Sequence, residues 1–180
     1  AMPNVTVLAP ADGVEVRLCM LAATDWDGPV YVRLTRDPEP VIFDETHNFQ
    51  IGKSYIVCEG TDITLMATGS QTIRVLQAAE LLSNEGVSAH VLHVPSIKPI
   101  DTEAIVAAAV KTGKVVTAED HSVIGGLGGA VAELLGEYHP TPVKRVGIAD
   151  CFGESAANED LLEKYGLTPR HAAEKAIKML

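Results

Sequence analysis

From Lys53 onward, short apolar runs alternate with stretches of helical periodicity, and this order constrains the fold more than any other feature of the sequence. Strands read at Ser54 to Cys58, Ile63 to Ala67, Ala89 to Val94, Lys114 to Glu119 and Lys144 to Ala149. Helices fit at Gln71 to Asn84, Thr102 to Lys111 and Gly129 to Leu135, with a short one over Asn158 to Tyr165 and a last one over Pro169 to Leu180. Parallel strands need crossover connections, which helices supply. The pattern therefore predicts a three-layer α/β/α domain with a mostly parallel five-stranded sheet. Only Glu59 to Asp62 separates the first two strands, too little for a crossover, so they read as an antiparallel hairpin with the first strand at an edge. A hydrophobic share of 47% with only 4% aromatic residues fits a core of Val, Ile, Leu and Ala between helices and a parallel sheet. Asp101 reads as a helix N-cap, Thr168-Pro169 as an N-cap followed by an N1 proline, and Gly86, Gly113 and Gly166 as glycines after helix ends.

The first third of the chain is different. Val5 to Ala9 reads as a buried strand, Pro10-Ala11-Asp12 as a helix start, and Val14, Leu18, Cys19 and Leu21 as the apolar face of that helix. Gly28-Pro29 breaks it, and Val30 to Arg36 alternates with the period of a strand. One strand-helix-strand unit covers one sheet face and leaves the other face and both edges open. Residues 1–37 are thus expected to be the remnant of a larger domain, or an extension packed on the main one. Residues 38–52 read as a linker and 53–180 as the complete terminal domain. Ala1-Met2 ahead of Pro3 reads as a cloning remnant or a trimmed start.

A formal charge of -10 argues against nucleic acid and anionic membranes as partners. No apolar run approaches the roughly 20 residues that span a bilayer, and Ala1 to Pro10 lacks the marks of a signal peptide, so a cytoplasmic protein is expected. Cys19, Cys58 and Cys151 are far apart and odd in number, which suggests reduced thiols. No helix carries a His-x-x-x-His pair, so no metal site is expected.

In open α/β sheets, ligands collect at the carboxyl ends of the strands. Three places there carry chemistry. Arg36 ends the Val30 strand and is either a phosphate or carboxylate contact or a solvated arginine. Glu119-Asp120-His121-Ser122 precedes Gly125-Gly126-Leu127-Gly128-Gly129; His121 is a titratable group at a sheet crevice or a hydrogen-bonded structural histidine. The glycine turn either holds an anion on its amides or lets strand and helix approach closely. It lacks the full dinucleotide spacing and has no phosphate-loop lysine. Cys151, beside acidic residues, lacks the electropositive setting of a nucleophile.

Several segments taken in order resemble the transketolase family. Pro3 to Asp12 is similar to a late stretch of its pyrimidine-binding domain, and Gly28 to Arg36 to that domain's closing strand. Gly52-Lys53-Ser54, Gly60 to Ser70, Ile97 to Asp101, Ala118 to His121, Gly125 to Gly128 and Tyr165 to Thr168 resemble its carboxyl-terminal domain. β subunits of 2-oxoacid dehydrogenases and deoxyxylulose-phosphate synthase share parts of this pattern. Phe152-Gly153-Glu154-Ser155 and the run from Leu161 to Thr168 look more like transketolase, with Ala156 a departure where a glycine is expected.

The resemblance implies an enzyme that passes a two-carbon ketol unit between sugar phosphates, using thiamine diphosphate and Mg²⁺. The family holds that cofactor with a Gly-Asp-Gly motif and a downstream Asn in its amino-terminal domain, and activates it with a glutamate earlier in the pyrimidine-binding domain. This chain has no Gly-Asp-Gly. The expectation is that it binds no cofactor alone and is inactive alone. Its partners would be the remaining amino-terminal part, on the same chain or a separate subunit, and a second copy in a homodimer. Arg36 falls where the family places an arginine on the substrate's terminal phosphate. A different reading makes the chain a stand-alone regulatory domain that binds an anion at Gly125 to Gly129.

Overall fold

The computed structural model describes residues 1–180 and contains two sheets. The larger is built from β3 (Tyr55–Cys58), β4 (Ile63–Ala67), β5 (Ala89–His93), β7 (Val115–Ser122) and β8 (Val143–Ile148), in the order β3-β5-β4-β7-β8. β5, β4, β7 and β8 run parallel, and β3 is an antiparallel edge strand. Side chains alternate across the sheet as the pleat requires. On one face Ile63, Leu65, Ala67, Val91, Val116 and Ala118 pack against α2 (Gln71–Asn84), α5 (Asn158–Lys164) and α6 (Pro169–Ile177) through Val75, Leu82, Leu162 and Ala172. On the other, Met66, Leu92 and Val115 pack against α3 (Thr102–Thr112) and α4 (Leu127–Tyr138) through Ile105, Ala109, Val131 and Leu135. This is the expected three-layer α/β/α domain.

The hairpin expected between β3 and β4 does not form. β5 lies between them, with Tyr55 opposite His93 and Ile56 opposite Leu92, although β3 does occupy an edge. The short connection instead wraps the start of β5. The Thr61 and Asp62 amides donate to the Ser88 carbonyl at 3.0 and 2.8 Å, and the Asp62 carboxylate accepts from the Ser88 amide at 2.8 Å. Gly60 makes the wrap possible, because a Cβ there would overlap the backbone of Ala89.

The smaller sheet has the order β2-β1-β6 and joins β1 (Thr6–Leu8) and β2 (Val30–Val32), parallel, to β6 (Ser96–Lys98), antiparallel. The sequence pattern missed β6, which is too short to show a period, so this unit has three strands rather than two. α1 (Gly13–Thr24) lies between β1 and β2. The Val30 strand stops at Val32 instead of reaching Arg36, because residues 33–39 bend away to bond with the larger unit. Leu21, read as inward, is 55% exposed, and the inward positions of α1 are Glu15 and Cys19.

Helix ends are set largely as read. Asp101 accepts from the Ala104 amide, Gly113 adopts φ 70° at the end of α3, and Gly86 and Gly166 also take positive φ. Thr168 is the N-cap residue of α6 with Pro169 at its first turn, as read, but its hydroxyl pairs with His171 Nδ1 at 2.8 Å rather than with a backbone amide.

The Gly60 wrap yields a prediction. Gly60→Ala forces a methyl into the Ala89 backbone and should lower unfolding stability by about 3 kcal/mol, the upper range for overpacking. Urea denaturation checks this, and a loss under about 0.5 kcal/mol would show that the wrap is loose.

Candidate functional site

The two units meet at the carboxyl ends of their strands. The Ala9 carbonyl, just past β1, accepts from the Gly69 amide at 3.0 Å, just past β4, and the Ala9 amide donates to the Pro95 carbonyl at 2.7 Å. Both sheets therefore direct their ligand-binding ends at one junction. A cleft of about 330 Å³ opens beside it, lined by Arg33, Arg36, Ser70, Arg74 and Asp120 among others, with Tyr165 and Leu161 closing the far side.

Two carboxylates at the start of α1 organise the junction. Asp12 caps the helix by accepting from the Glu15 amide at 2.8 Å, while its other oxygen accepts from the Ile42 and Phe43 amides at 2.7 and 2.8 Å. Glu15 is fully buried, and its Oε2 accepts from the Ala11 amide at 2.7 Å and lies 2.8 Å from His93 Nε2. Its Oε1 lies 3.2 Å from His47 Nε2, and Phe43 stacks on the His47 ring at 4.0 Å. The Thr72 hydroxyl, 2.7 Å from Nδ1 of His93, fixes that ring on its other side. The Ala11 amide and the Nε2 atoms of both histidines thus surround the carboxylate with groups able to donate, which a buried charge requires. Burial first, and the Glu15 charge second, push the neighbouring Cys19 thiol up to about 12, so it serves packing only.

On the cleft side, Arg33 donates from Nη2 and Nε to Asp120 Oδ1 at 2.9 and 3.1 Å, and the Ser70 hydroxyl donates to Asp120 Oδ2 at 3.2 Å. Arg74 donates to Glu39 Oε1 at 3.4 Å and to the Ser70 carbonyl at 2.7 Å. Burial alone would raise the Asp120 carboxyl, but the hydrogen bond from His121 and the Arg33 charge outweigh it and hold it near 2. Glu39 is raised, since its burial outweighs the pull of Arg74.

The residues singled out from the sequence divide here. Arg36 is exposed on the cleft rim and pairs with no acidic group of the chain. His121 does not line the cleft. Its Nε2 sits 2.8 Å from Glu119 Oε2 and its Nδ1 3.4 Å from Asp120 Oδ1, and these bonds, Asp120's first, raise it to about 9 against the cost of burial. The glycine turn holds the protein's own anion: buried Glu119 accepts from the Gly128 amide at 3.0 Å, and a Cβ on Gly126 would collide with that carboxylate. Cys151 is exposed. Sequence reasoning missed Arg33, Arg74, Glu39, Asp12 and Glu15, whose partners lie far away in the chain. The Pro10-Ala11-Asp12 helix start was their only local signal.

No three His, Cys, Asp or Glu side chains gather into a metal-holding group. The sequence also contains no Gly-Asp-Gly.

A pH prediction follows from the His121 contacts. A histidine raised above its unfolded value stabilises fully below about pH 6.5 and loses that contribution as pH rises through about 9. The stability difference between the native chain and His121→Gln should thus be largest near pH 6 and shrink toward pH 9.5, read from urea midpoints. A difference independent of pH would contradict the assignment of charge to this ring.

Comparison with known proteins fits this geometry. The family model "Transketolase, C-terminal domain" matches residues 52–172. The 6-deoxy-6-sulfo-D-fructose transketolase subunit SqwH of Clostridium sp. (strain MSTE9) is 46% identical over 97% of this chain and 54% of its own. A 1-deoxy-D-xylulose-5-phosphate synthase of Trichormus variabilis is 36% identical over 98% of this chain but 29% of its own. A solved split-gene transketolase, described as an inactive β4 tetramer, superposes with a TM-score of 0.95 at 46% identity, covering 99% of this chain and 59% of that one. The chain thus spans about half the length of the Clostridium relative. No helix is long and apolar enough to cross a membrane. The chain belongs to the transketolase family and carries that family's C-terminal domain.

Proposed function

We propose that this chain is the carboxyl-terminal section of a cytoplasmic transketolase that moves a two-carbon ketol unit between sugar phosphates, and that it acts only when joined to the section carrying the cofactor seat. Residues 1–37 belong, on this reading, to a pyrimidine-binding domain completed by that section, 38–52 are the linker, and 53–180 form the terminal domain. Thiamine diphosphate with Mg²⁺ supplies the carbanion chemistry in such an enzyme. This chain's residues bind and orient the sugar and contribute a homodimer contact.

The observation that carries this reading is Arg36, an exposed arginine without an acidic partner at the rim of a cleft where the carboxyl ends of two sheets converge. Its planar fork suits a tetrahedral oxyanion at the end of an extended sugar. His121 lies outside the lining of this cleft, but it is 28% exposed beside Asp120, which lines it, and is the second candidate contact. A second reading, synthesis of a deoxyxylulose phosphate, is favoured by the likeness to the Trichormus synthase. It uses the same anion contact.

The test is to combine the chain with an upstream transketolase section and assay ketol transfer from phosphorylated, 6-sulfonated and uncharged ketoses. The sulfonated sugar is included because the name of the Clostridium relative contains one. Activity is expected only in the combination. Arg36→Ala should raise KM for the anionic sugars about tenfold or more, the loss of roughly 1.4 kcal/mol of a charge-assisted contact, and leave the uncharged sugar unchanged. Equal effects on the anionic and the uncharged sugars would sink the Arg36 assignment, and turnover by the chain alone would sink the split.

A further inference from the structure

Arg36 sits midway between two ion pairs that cross from its loop to the larger unit. Before it, Arg33 grips Asp120 at the end of β7 with two nitrogens at 2.9 and 3.1 Å. After it, Glu39 accepts from two nitrogens of Arg74 on α2, each at 3.4 Å. The two pairs are joined behind the loop by one residue. Ser70 donates its hydroxyl to Asp120 at 3.2 Å and accepts from Arg74 Nη1 at 2.7 Å on its carbonyl. The run Arg33, Asp120, Ser70, Arg74, Glu39 is closed by the loop's own backbone into a ring. A local bond from the Thr35 hydroxyl to the Asp37 carbonyl at 3.0 Å tightens the bend at its apex.

Two physical consequences follow. An arginine on a loop past a strand end loses rotamer and backbone freedom when it grips an anion, and fastening the loop on both sides removes part of that cost in advance. The cleft also holds three arginines, and two of them are neutralised by carboxylates of the ring, which leaves a single uncommitted guanidinium facing the opening. The Arg74–Glu39 pair is sheltered, each side chain 11% exposed, so salt screens it less than a surface pair; in the other pair Asp120 is 19% exposed and Arg33 37%.

We propose that Asp120, with Ser70 and Arg74, is a positioning residue for anion recognition: through Arg33 and Glu39 it holds the 33–39 loop so that Arg36 meets the terminal oxyanion of the sugar. This rests on the assignment of Arg36 above. It adds that the residues holding the loop, and not only the guanidinium that meets the oxyanion, set how strongly the enzyme prefers a charged substrate.

The test is a double-mutant cycle in the recombined enzyme, with a ketose phosphate and the matching unphosphorylated ketose as substrates. Asp120→Asn keeps the shape and a hydrogen bond to Ser70 but removes the charge that grips Arg33. It is expected to raise KM for the ketose phosphate about tenfold, leave kcat within about twofold, and leave KM for the uncharged ketose unchanged. In an Arg36→Ala background the same substitution should add no further loss, since the interaction that it positions is gone. Asp120→Glu should restore most of the preference.

If Arg36→Ala abolishes the preference for the charged sugar while Asp120→Asn leaves it intact, or if the two losses multiply, the positioning role is overturned and the Arg36 assignment stands. If Arg36→Ala leaves the preference unchanged, that assignment falls and takes this proposal with it. Should Asp120→Asn fail to assemble, Arg33→Lys decides the matter, because it keeps the charge and loses the fork. A selective rise in KM for the phosphate supports the ring, and unchanged constants overturn it.

Discussion

Glu15 is the constraint on which the arrangement of this chain depends. A carboxylate with no solvent exposure, drawn in from helix α1, is tolerable only if donors surround it, and it draws them from three separate parts of the chain. The Ala11 amide comes from its own helix start, His47 from the segment between the units, and His93 from the end of β5. Thr72 at the first turn of α2 holds the far side of His93. Removing the charge strands these donors in a dry interior; keeping it fixes α1 against the larger sheet. Asp12, one turn earlier, ties in the segment at Ile42 and Phe43 with the same economy, one oxygen for the helix and one for the chain that follows.

Once α1 is fixed, β1 and β2 follow, and residues 33–39 emerge from β2 directly over the carboxyl ends of the larger sheet. The Arg33–Asp120 and Glu39–Arg74 pairs then need only short reaches. The order of dependence runs from the buried carboxylate to the sheet junction, from the junction to the loop, and from the loop to Arg36. The glycine turn at Gly125 to Gly129 takes part indirectly. Its amide is satisfied by Glu119, which leaves His121 facing both Glu119 and Asp120, and this helps keep Asp120 ionised. Backbone without side chains at Gly126 and Gly128 gives that carboxylate and Arg145 their space. In this way the glycine turn serves as internal support.

Much of the fold was legible because its signals are local. The alternation of strands and helices, the Asp101 cap and the glycines at positive φ each depend on neighbours in sequence, and each appears where it was read. The pairing of β3 was not legible, since a four-residue connection has two geometries and the choice was made by Gly60 against Ala89, far along the chain. β6 escaped notice because three residues carry no period. The strand thought to reach Arg36 was cut short by ion pairs to Asp120 and Arg74, which a period-two pattern cannot register. Arg36 was singled out from its place after a strand and from a family resemblance, and it lies exposed at the cleft rim. The charged ring around it and the Glu15 cluster were not, because each partner is ordinary in its own stretch and acquires meaning only by contact.

The central claim, that the buried Glu15 carboxylate makes the two units unfold as one, is open to a direct measurement. Trp26 is the single tryptophan of the chain and lies beyond the end of α1, so its fluorescence reports the smaller unit, while far-UV circular dichroism reports mainly the larger. In the native chain the two urea transitions should coincide, as a single cooperative unit requires. In Glu15→Ala the fluorescence transition should move to lower urea and precede the dichroism transition, with about 3 kcal/mol lost by the smaller unit as a buried ionic cluster is broken. Coincident transitions in Glu15→Ala, shifted together or not at all, would contradict the account.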